Sequence, residues 1–162
     1  MSSEPNELYS LLIPLEGERL LVPRVCVAEV IAFSAPERSR ENDQLPSWFL
    51  GRVEWNGRRL PVVAFESIAG ERISSEEGQH RAGRTRIVVC HAIGKSLKVG
   101  GFGIITQGFP QLVRVNGDVL SLEPDRPWPE GQPVLCRTRM INEYPMIPDM
   151  ERLETMLAEL PG

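Results

Sequence analysis

Short runs of alternating apolar and polar residues, separated by pairs of turn-forming residues, fill most of the chain. The stretch RVEWNGRRLPVVAF is typical, because two such runs flank an Asn-Gly pair. Asparagine and glycine both accept positive φ, so this pair favours a type I′ turn between antiparallel strands. Turn signals of this kind lie at Glu16-Gly17, Asn56-Gly57, Gly94-Lys95 and Asn116-Gly117. Their spacing predicts an antiparallel β-barrel or sandwich.

Helical patterns are few. FESIAG is long enough for only one or two helical turns. The segment from Asp149 to Leu160 is the stronger candidate, because Asp149 can cap its first turn and Pro161 ends it. Its apolar residues fall on one helical face, and they are Met150, Leu153, Leu157 and Leu160. The predicted fold class is therefore all-β with a C-terminal helix.

Composition is that of a globular domain. Of the 162 residues, 41% are hydrophobic and 25% are charged, so the chain can form a core. The net charge of −4 argues against a nucleic-acid partner or a membrane-surface partner, although local basic patches can still bind either. Three widely spaced cysteines predict no disulfide framework and fit a reducing cytoplasm.

No targeting or membrane segment is expected. The opening MSSEPNELYSLLIPL has no basic region and contains Pro14, which interrupts its apolar stretch, so a secretory signal is not predicted. No apolar run approaches the roughly 20 residues that a membrane-spanning helix needs. These patterns predict a cytoplasmic protein without direct membrane insertion.

No residue pattern indicates a catalytic, cofactor or metal site. AIGKS looks like the end of a phosphate-binding loop, but Val89 stands where that loop needs its first glycine. Cys90 and His91 are adjacent, so in a strand they point to opposite faces and cannot act together as nucleophile and base. The histidines and cysteines also lack the paired spacing of zinc ligands. We therefore expect no enzyme, no cofactor and no metal.

Two other function classes stay open. One is a β-barrel nucleic-acid-binding module, which would require the basic residues to form one face. Those residues are Arg58 and Arg59 in GRRLP, and Arg81, Arg84 and Arg86 in HRAGRTR. An aromatic content of 6% is low for that role, and a solvated face is the simpler interpretation. The other class is an enzyme that uses Cys90 or His91.

The residues around the first Asn-Gly pair resemble the signature of CheW-like domains. Gly51, Gly57 and Pro61 follow that family's spacing, and apolar Val53 and Trp55 alternate toward the turn. Further segments resemble the family in matching order. LLIPLEGERLLVPRVCVAEVI looks like its opening hairpin, RIVVC and GGFGIITQGF look like its central strands, and MIPDMERLETML looks like its closing strand and helix.

The resemblance implies both a fold and a role. Residues 8–158 would form a single domain of two intertwined five-stranded barrel subdomains that share a core, with flexible termini at 1–7 and 159–162. The implied role is a non-catalytic adaptor that couples the cytoplasmic tip of a methyl-accepting chemoreceptor to a CheA-type histidine kinase, at receptor arrays beneath the inner membrane. The sequence is most similar to divergent CheW paralogues that control type IV pili or surface motility.

Matching positions also imply two groups of functional residues. The receptor groove would include Leu11, Arg24, Val27 and Val30, and ordinary core positions are the alternative for its apolar members. The family-motif hairpin comprises Glu29, Gly51, Asn56, Gly57 and Pro61, with its tip near a partner surface. We expect Pro61 to lie where its strand leaves the sheet, because proline cannot donate to a strand ladder.

The chain departs from the family pattern at several of these positions. Asn56 replaces an arginine that commonly pairs with the glutamate matching Glu29. Here Glu29 would be solvated, bonded to backbone, or paired with another arginine such as Arg58. Thr106-Gln107 replaces a frequent valine–aspartate pair, and Arg24 stands where an apolar groove residue is common. These changes allow altered partners at both surfaces.

Overall fold

The computed structural model describes residues 8–38, 45–68, 84–117, 119–123, 132–140 and 142–160. These described residues contain eleven strands and two α-helices. The strands are β1 (Leu8–Pro14), β2 (Arg19–Pro23), β3 (Val27–Ala32), β4 (Phe49–Trp55), β5 (Arg58–Val63), β6 (Arg86–His91), β7 (Gly101–Thr106), β8 (Gln111–Val115), β9 (Ser121–Leu122), β10 (Val134–Arg139) and β11 (Met146–Pro148). The helices are α1 (Phe65–Ile68) and α2 (Met150–Ala158), and a 3-10 turn, Arg24–Cys26, links β2 to β3.

The first sheet has the strand order β8-β1-β2-β11-β10-β9. Its edge strands β8 and β9 are consecutive in the chain, so the connection between them runs from one edge of the sheet to the other. Val119 and Leu120 in this connection pack with buried Leu12, Leu21 and Val115 to form a small apolar interior. The sheet has six described strands, one more than expected, because the two-residue β9 pairs with β10.

The strand pairing expected around Asn116-Gly117 is wrong. β8 pairs with β1 and β9 pairs with β10, so the strands that flank this Asn-Gly pair do not pair with each other. The carbonyl of Asn116 instead accepts hydrogen bonds from the N–H groups of Val119 and Leu120, at 3.3 and 3.1 Å. An Asn-Gly pair favours a local turn, whereas the choice of strand partner depends on how the whole sheet packs.

The second sheet has the order β3-β6-β7-β5-β4, which places β3 and β4 at its two edges. The predicted hairpin between β4 and β5 is confirmed, since Trp55 pairs with Arg58 across the turn. Both turn residues have positive φ, 50° at Asn56 and 76° at Gly57. These angles are those of the type I′ turn that the sequence predicts.

Gly51 is required by a close backbone approach at the outer edge of β4. The segment before β4 pairs with it through two hydrogen bonds of 2.8 Å between the backbones of Glu37 and Arg52. Gly51 has a φ of 124° at a bulge in β4, and a Cβ atom there would collide with the carbonyl of Glu37. Because Gly51 has no side chain, the segment around Glu37 can pair with the outer edge of β4 and cover it.

The expectation for Pro61 is wrong. Pro61 lies inside β5, opposite Arg52 on β4, and β5 is an interior strand between β7 and β4. Pairing of β5 with β7 begins at the next residue, Val62. The proline is tolerated because it precedes the parallel ladder in which a backbone donor would be needed.

One large core joins the two sheets. The first sheet supplies Ile13, Leu20, Val22, Val134 and Met146, and the second supplies Val63, Val88, Cys90, Phe102 and Ile104. A separate cluster fills the second barrel, formed by Val53, Leu60, Val62, Ile87, Val89 and Ile105. Since each sheet has its own interior and both cover the shared core, the predicted pair of barrel-like subdomains with a common core is confirmed.

The C-terminal helix α2 closes one side of the shared core. Its Met150, Leu153 and Leu157 are buried there, and the Asp149 carboxylate caps the helix by accepting the Arg152 N–H at 3.0 Å. These features confirm the predicted helix and cap. Of the helices among the described residues, none is long and apolar enough to cross a membrane.

Candidate functional site

The apolar residues predicted for the receptor groove lie at the margin of the shared core. Leu11 on β1, together with Val27 and Val30 on β3, is half-buried and packs against that core. The 3-10 turn Arg24–Cys26 packs against β1 and leads directly into Val27, so it brings the start of β3 close to β1. Arg24 is exposed at the start of the turn. The structure thus packs the three apolar residues against the shared core and leaves Arg24 exposed.

Strand β8 extends this margin with residues that the sequence did not single out. Leu112 is the cross-strand partner of Leu11 and is 51% exposed, so it adds apolar surface beside Leu11. Val25 in the 3-10 turn is 81% exposed. We call the set of Leu11, Val27, Val30 and Leu112 the apolar groove, after the groove that the family resemblance implies. The alternation in QLVRV indicated a strand, but only the pairing of β8 with β1 places Leu112 there.

Glu29 has a partner that none of the sequence interpretations included. The indole Nε1 of Trp55 donates a hydrogen bond to Glu29 Oε2 at 2.9 Å. Arg58 does not pair with Glu29, because its guanidinium donates instead to the carbonyl of Val99 at 3.1 Å. The bond between Trp55 and Glu29 links β3 to β4, the two edges of the second sheet. Tryptophan therefore anchors the glutamate in place of the family's arginine.

The tip of the motif hairpin is a solvent-exposed turn. Asn56, Gly57, Arg58 and Arg59 are all exposed there. Arg59 pairs with Glu37 at 3.2 Å, but both side chains are mostly solvated, so this ion pair adds little stability. The tip offers a rigid backbone shape and little apolar area.

Thr106-Gln107 joins the two sheets. The Thr106 hydroxyl donates to the carbonyl of Gly108 at 2.7 Å, and the Gln107 N–H donates to the carbonyl of Pro14 at 2.9 Å. Pro14 ends β1 in the first sheet, whereas Thr106 ends β7 in the second. The Gln107 backbone N–H therefore forms a direct link between the two sheets at this point.

Arg58 and Arg86, two of the described basic residues that a nucleic-acid-binding module would require on one face, lie far apart in the second sheet. The register places Arg86 beside Thr106, whereas Arg58 bonds to Val99, before β7 begins. Val99 lies just before the start of β7 and Thr106 lies at its end. The two sites are therefore separated by the length of β7, about 17 Å. Arg86 also stacks over the Phe109 ring, with 4.7 Å between its guanidinium carbon and the ring centroid. Arg81 lies outside the described residues.

Cys90 is unsuited to act as a nucleophile. Its side chain is fully buried in the shared core, and this burial raises the pKa of the thiol, with Cys26 and Glu154 raising it further. His91 is exposed, as expected for the opposite face of β6. No group of three or more His, Cys, Asp or Glu side chains among the described residues is arranged to hold a metal ion.

Comparisons with known proteins agree with this geometry. A family model described as CheW-like domain matches residues 10–125. A solved structure, the scaffolding protein TtCheW from Thermoanaerobacter tengcongensis, superposes with a TM-score of 0.64 over 87% of this chain and 88% of that one. At 14% sequence identity this likeness is one of fold. No curated protein matches the chain. With the family model matching most of its length, and with the motif glycines at a bulge and a type I′ turn, the chain belongs to the CheW-like domain family.

Proposed function

We propose that this protein is a non-catalytic adaptor that couples chemoreceptors to a CheA-type histidine kinase in chemotaxis-like signalling. The observation that carries the proposal is that Leu11, Val27 and Val30 are only partly buried where they pack against the shared core, with exposed Leu112 paired to Leu11. A groove of this kind accepts the apolar ridge of a helix. The cytoplasmic tip of a receptor is the helical partner that we assign to it.

The motif hairpin is the second surface in this proposal. Its tip is held by the hydrogen bonds from Trp55 to Glu29 and from Arg58 to Val99, so its shape is fixed before a partner arrives. We assign the kinase to this surface. An adaptor that joins two proteins needs two rigid surfaces and no reactive group, which fits the burial of Cys90.

Domain extent, location and output belong to the same proposal. Residues 8–158 act as one domain, because the shared core draws on both sheets and on α2. Flexibility of 1–7 and 159–162 stays a prediction, and 1–7, 161 and 162 lie outside the described residues. We place the protein in the cytoplasm at receptor arrays. We also assign it to control of type IV pili or surface motility, on sequence resemblance alone.

Affinity capture with the tagged full-length protein tests the adaptor role. We expect the wild type to recover a chemoreceptor and a histidine kinase from the lysate of its own organism, identified by mass spectrometry. Val30→Asp should lose the receptor and keep the kinase, because a carboxylate in an apolar contact costs a few kcal/mol, or orders of magnitude in affinity. Recovery of neither protein by the wild type would reject the proposal.

Two further variants separate binding from folding. Leu135→Asp places the same charge on an exposed apolar position of β10, outside the strands that carry the groove, so it should retain both partners. If circular dichroism shows that Val30→Asp is unfolded, Leu112→Asp takes its place, since Leu112 is already half exposed. A folded Leu112→Asp protein that recovers the receptor as well as the wild type does would remove the groove from the proposal.

A further inference from the structure

A cleft of about 510 Å³ lies where three connections of the chain meet. Its walls are the turn between β1 and β2, the residue that follows β7 and the turn between β10 and β11. Pro14, Leu15 and Tyr144 give the cleft apolar surface, and Gln107 and Asn142 give it amide groups. A volume of this size is within the range of small-ligand sites. The cleft shares no residue with the apolar groove or the motif hairpin.

The three walls of the cleft are bonded to one another. The Gln107 N–H donates to the carbonyl of Pro14 at 2.9 Å, which joins the second wall to the first. Arg19 Nε pairs with Glu143 Oε1 at 2.9 Å, which joins the first wall to the third. A ligand would therefore meet walls that are already in place, and this lowers the entropic cost of binding.

The charged side chains of the cleft are paired. Glu18, Arg19 and Glu143 are the charged residues in the described lining, whereas Glu16 of the same turn lies outside it. Glu143 pairs with Arg19, and Glu18 pairs with Arg137 at 3.2 Å, where both side chains are largely buried. A charged ligand group would lose water here without meeting an unpaired charge of opposite sign, whereas a neutral polar group avoids that cost.

Gln107 is the residue that gives the cleft a preference among neutral groups. Its Oε1 is buried and accepts no hydrogen bond from the described residues, which is unfavourable for a carbonyl oxygen. The residue as a whole is half-buried, so rotation of its side chain can turn the amide into the cleft. There its oxygen can accept from an N–H group while its NH2 group donates to an oxygen. A carboxylate at this position, where the family often has aspartate, would favour a cation instead.

We propose that this cleft binds a neutral carboxamide group, which forms paired hydrogen bonds with the Gln107 amide. The apolar part of the ligand would pack against Pro14 and Tyr144. Such a group is supplied either by a small-molecule amide or by an Asn or Gln side chain of a protein partner. The site goes beyond the adaptor role and can be tested without a receptor or a kinase.

Titration of the isotope-labelled full-length protein with benzamide, benzoate and benzamidinium, followed by NMR, tests the site. The three probes have nearly the same shape and differ in charge at pH 7. Benzamide should shift the signals of Gly17, Asn142 and the Gln107 side chain, and bind about tenfold more tightly than either ion. Gln107→Glu should reverse the preference, so that benzamidinium binds best. Gln111→Glu, which adds the same charge at an exposed glutamine of β8, should leave the preference for benzamide unchanged.

A second variant covers loss of folding. If circular dichroism shows that Gln107→Glu is unfolded, Asn142→Asp takes its place, because Asn142 is exposed and also lines the cleft. It should likewise shift the preference toward benzamidinium. Equal binding of benzamide and either ion by the wild type, or signal shifts confined to residues outside the cleft, would reject the carboxamide site and leave the adaptor role standing.

Affinity capture in the presence of saturating benzamide identifies the source of the amide. Release of the receptor or the kinase from the wild-type protein would assign the amide to that partner. Retention of both would assign the cleft to a small-molecule amide. If the wild type captures neither protein without benzamide, the adaptor role fails, while the NMR titration still decides whether the carboxamide site exists.

Discussion

The indole of Trp55 donates a hydrogen bond of 2.9 Å to the carboxylate of Glu29, and this bond links the two edge strands of the second sheet. β3 and β4 are separated by three other strands in the ladder. A side-chain contact between them therefore draws the sheet into a closed shape. It also holds the motif hairpin in place although Asn56 has replaced the family's arginine.

Removing the indole donor should therefore loosen this closure. Trp55→Phe keeps most of the aromatic packing and loses the N–H, so we expect the free energy of unfolding to fall by about 1 kcal/mol. Urea denaturation measures the loss. A double-mutant cycle with Glu29→Ala is the control, and strict additivity of the two changes would show that the bond contributes nothing.

Asn56 is predicted to act mainly as a turn residue. Its φ of 50° is accessible to asparagine and costly for alanine, so Asn56→Ala should lower the free energy of unfolding by about 1 kcal/mol. Asn56→Gly, which accepts this φ, should be close to neutral. Kinase and receptor binding by folded Asn56→Ala should change little. A variant of full stability that loses kinase binding would instead show a direct contact at this position.

The two glycines of the motif hairpin should differ in their tolerance of alanine. At Gly51 the φ of 124° and the contact with the Glu37 carbonyl act together, so Gly51→Ala should cost about 3 kcal/mol or more. At Gly57 an added Cβ meets nothing within 4 Å, which leaves only the strain of positive φ, about 1 kcal/mol. Equal losses in urea denaturation would contradict this account of Gly51.

Glu154 should hold the loop after β6 against α2. This buried carboxylate accepts the N–H groups of Ile93 and Gly94, the latter at 2.8 Å. Glu154→Gln replaces one accepting oxygen with an NH2 group, which cannot accept a hydrogen bond from a backbone N–H. The free energy of unfolding should therefore fall by about 1 to 3 kcal/mol. Glu151→Gln, exposed on the same helix, is the matched control. Equal stability of the two variants would show that the two N–H groups do not depend on the carboxylate.

Thiol labelling tests the assignment of Cys90 to the core. Burial raises the pKa of its thiol, so less thiolate exists at any given pH and the thiol is also shielded from reagent. At pH 8 we expect native protein to label at Cys26 and Cys136, which are half-buried, well before Cys90, which should label only in urea. Single cysteine-to-alanine variants assign each thiol. Fast labelling of Cys90 in the native protein would instead show that its thiol is accessible and reactive.

Local chemistry explains why some elements were predictable. The turn at Asn56-Gly57 follows from two residues that accept positive φ, and α2 follows from a capping aspartate and a single apolar face. The adjacency of Cys90 and His91 likewise predicted side chains on opposite faces, and the structure buries Cys90 and exposes His91. Each of these features depends on residues within a few positions of one another. Each can therefore be predicted from the sequence without knowledge of the rest of the fold.

The pairing of distant segments could not be predicted from the sequence. Nothing near Asn116-Gly117 distinguishes a hairpin from the link that it forms between opposite edges of the first sheet. Tyr9 and Arg114, which are hydrogen-bonded across β1 and β8, are 105 residues apart, and Trp55 and Glu29 are 26 apart. Such contacts arise because burial of the shared core fixes the order and register of the strands. The sequence by itself determined the turns, the terminal helix and the family, while only the tertiary structure paired Leu112 with Leu11 and bonded Trp55 to Glu29.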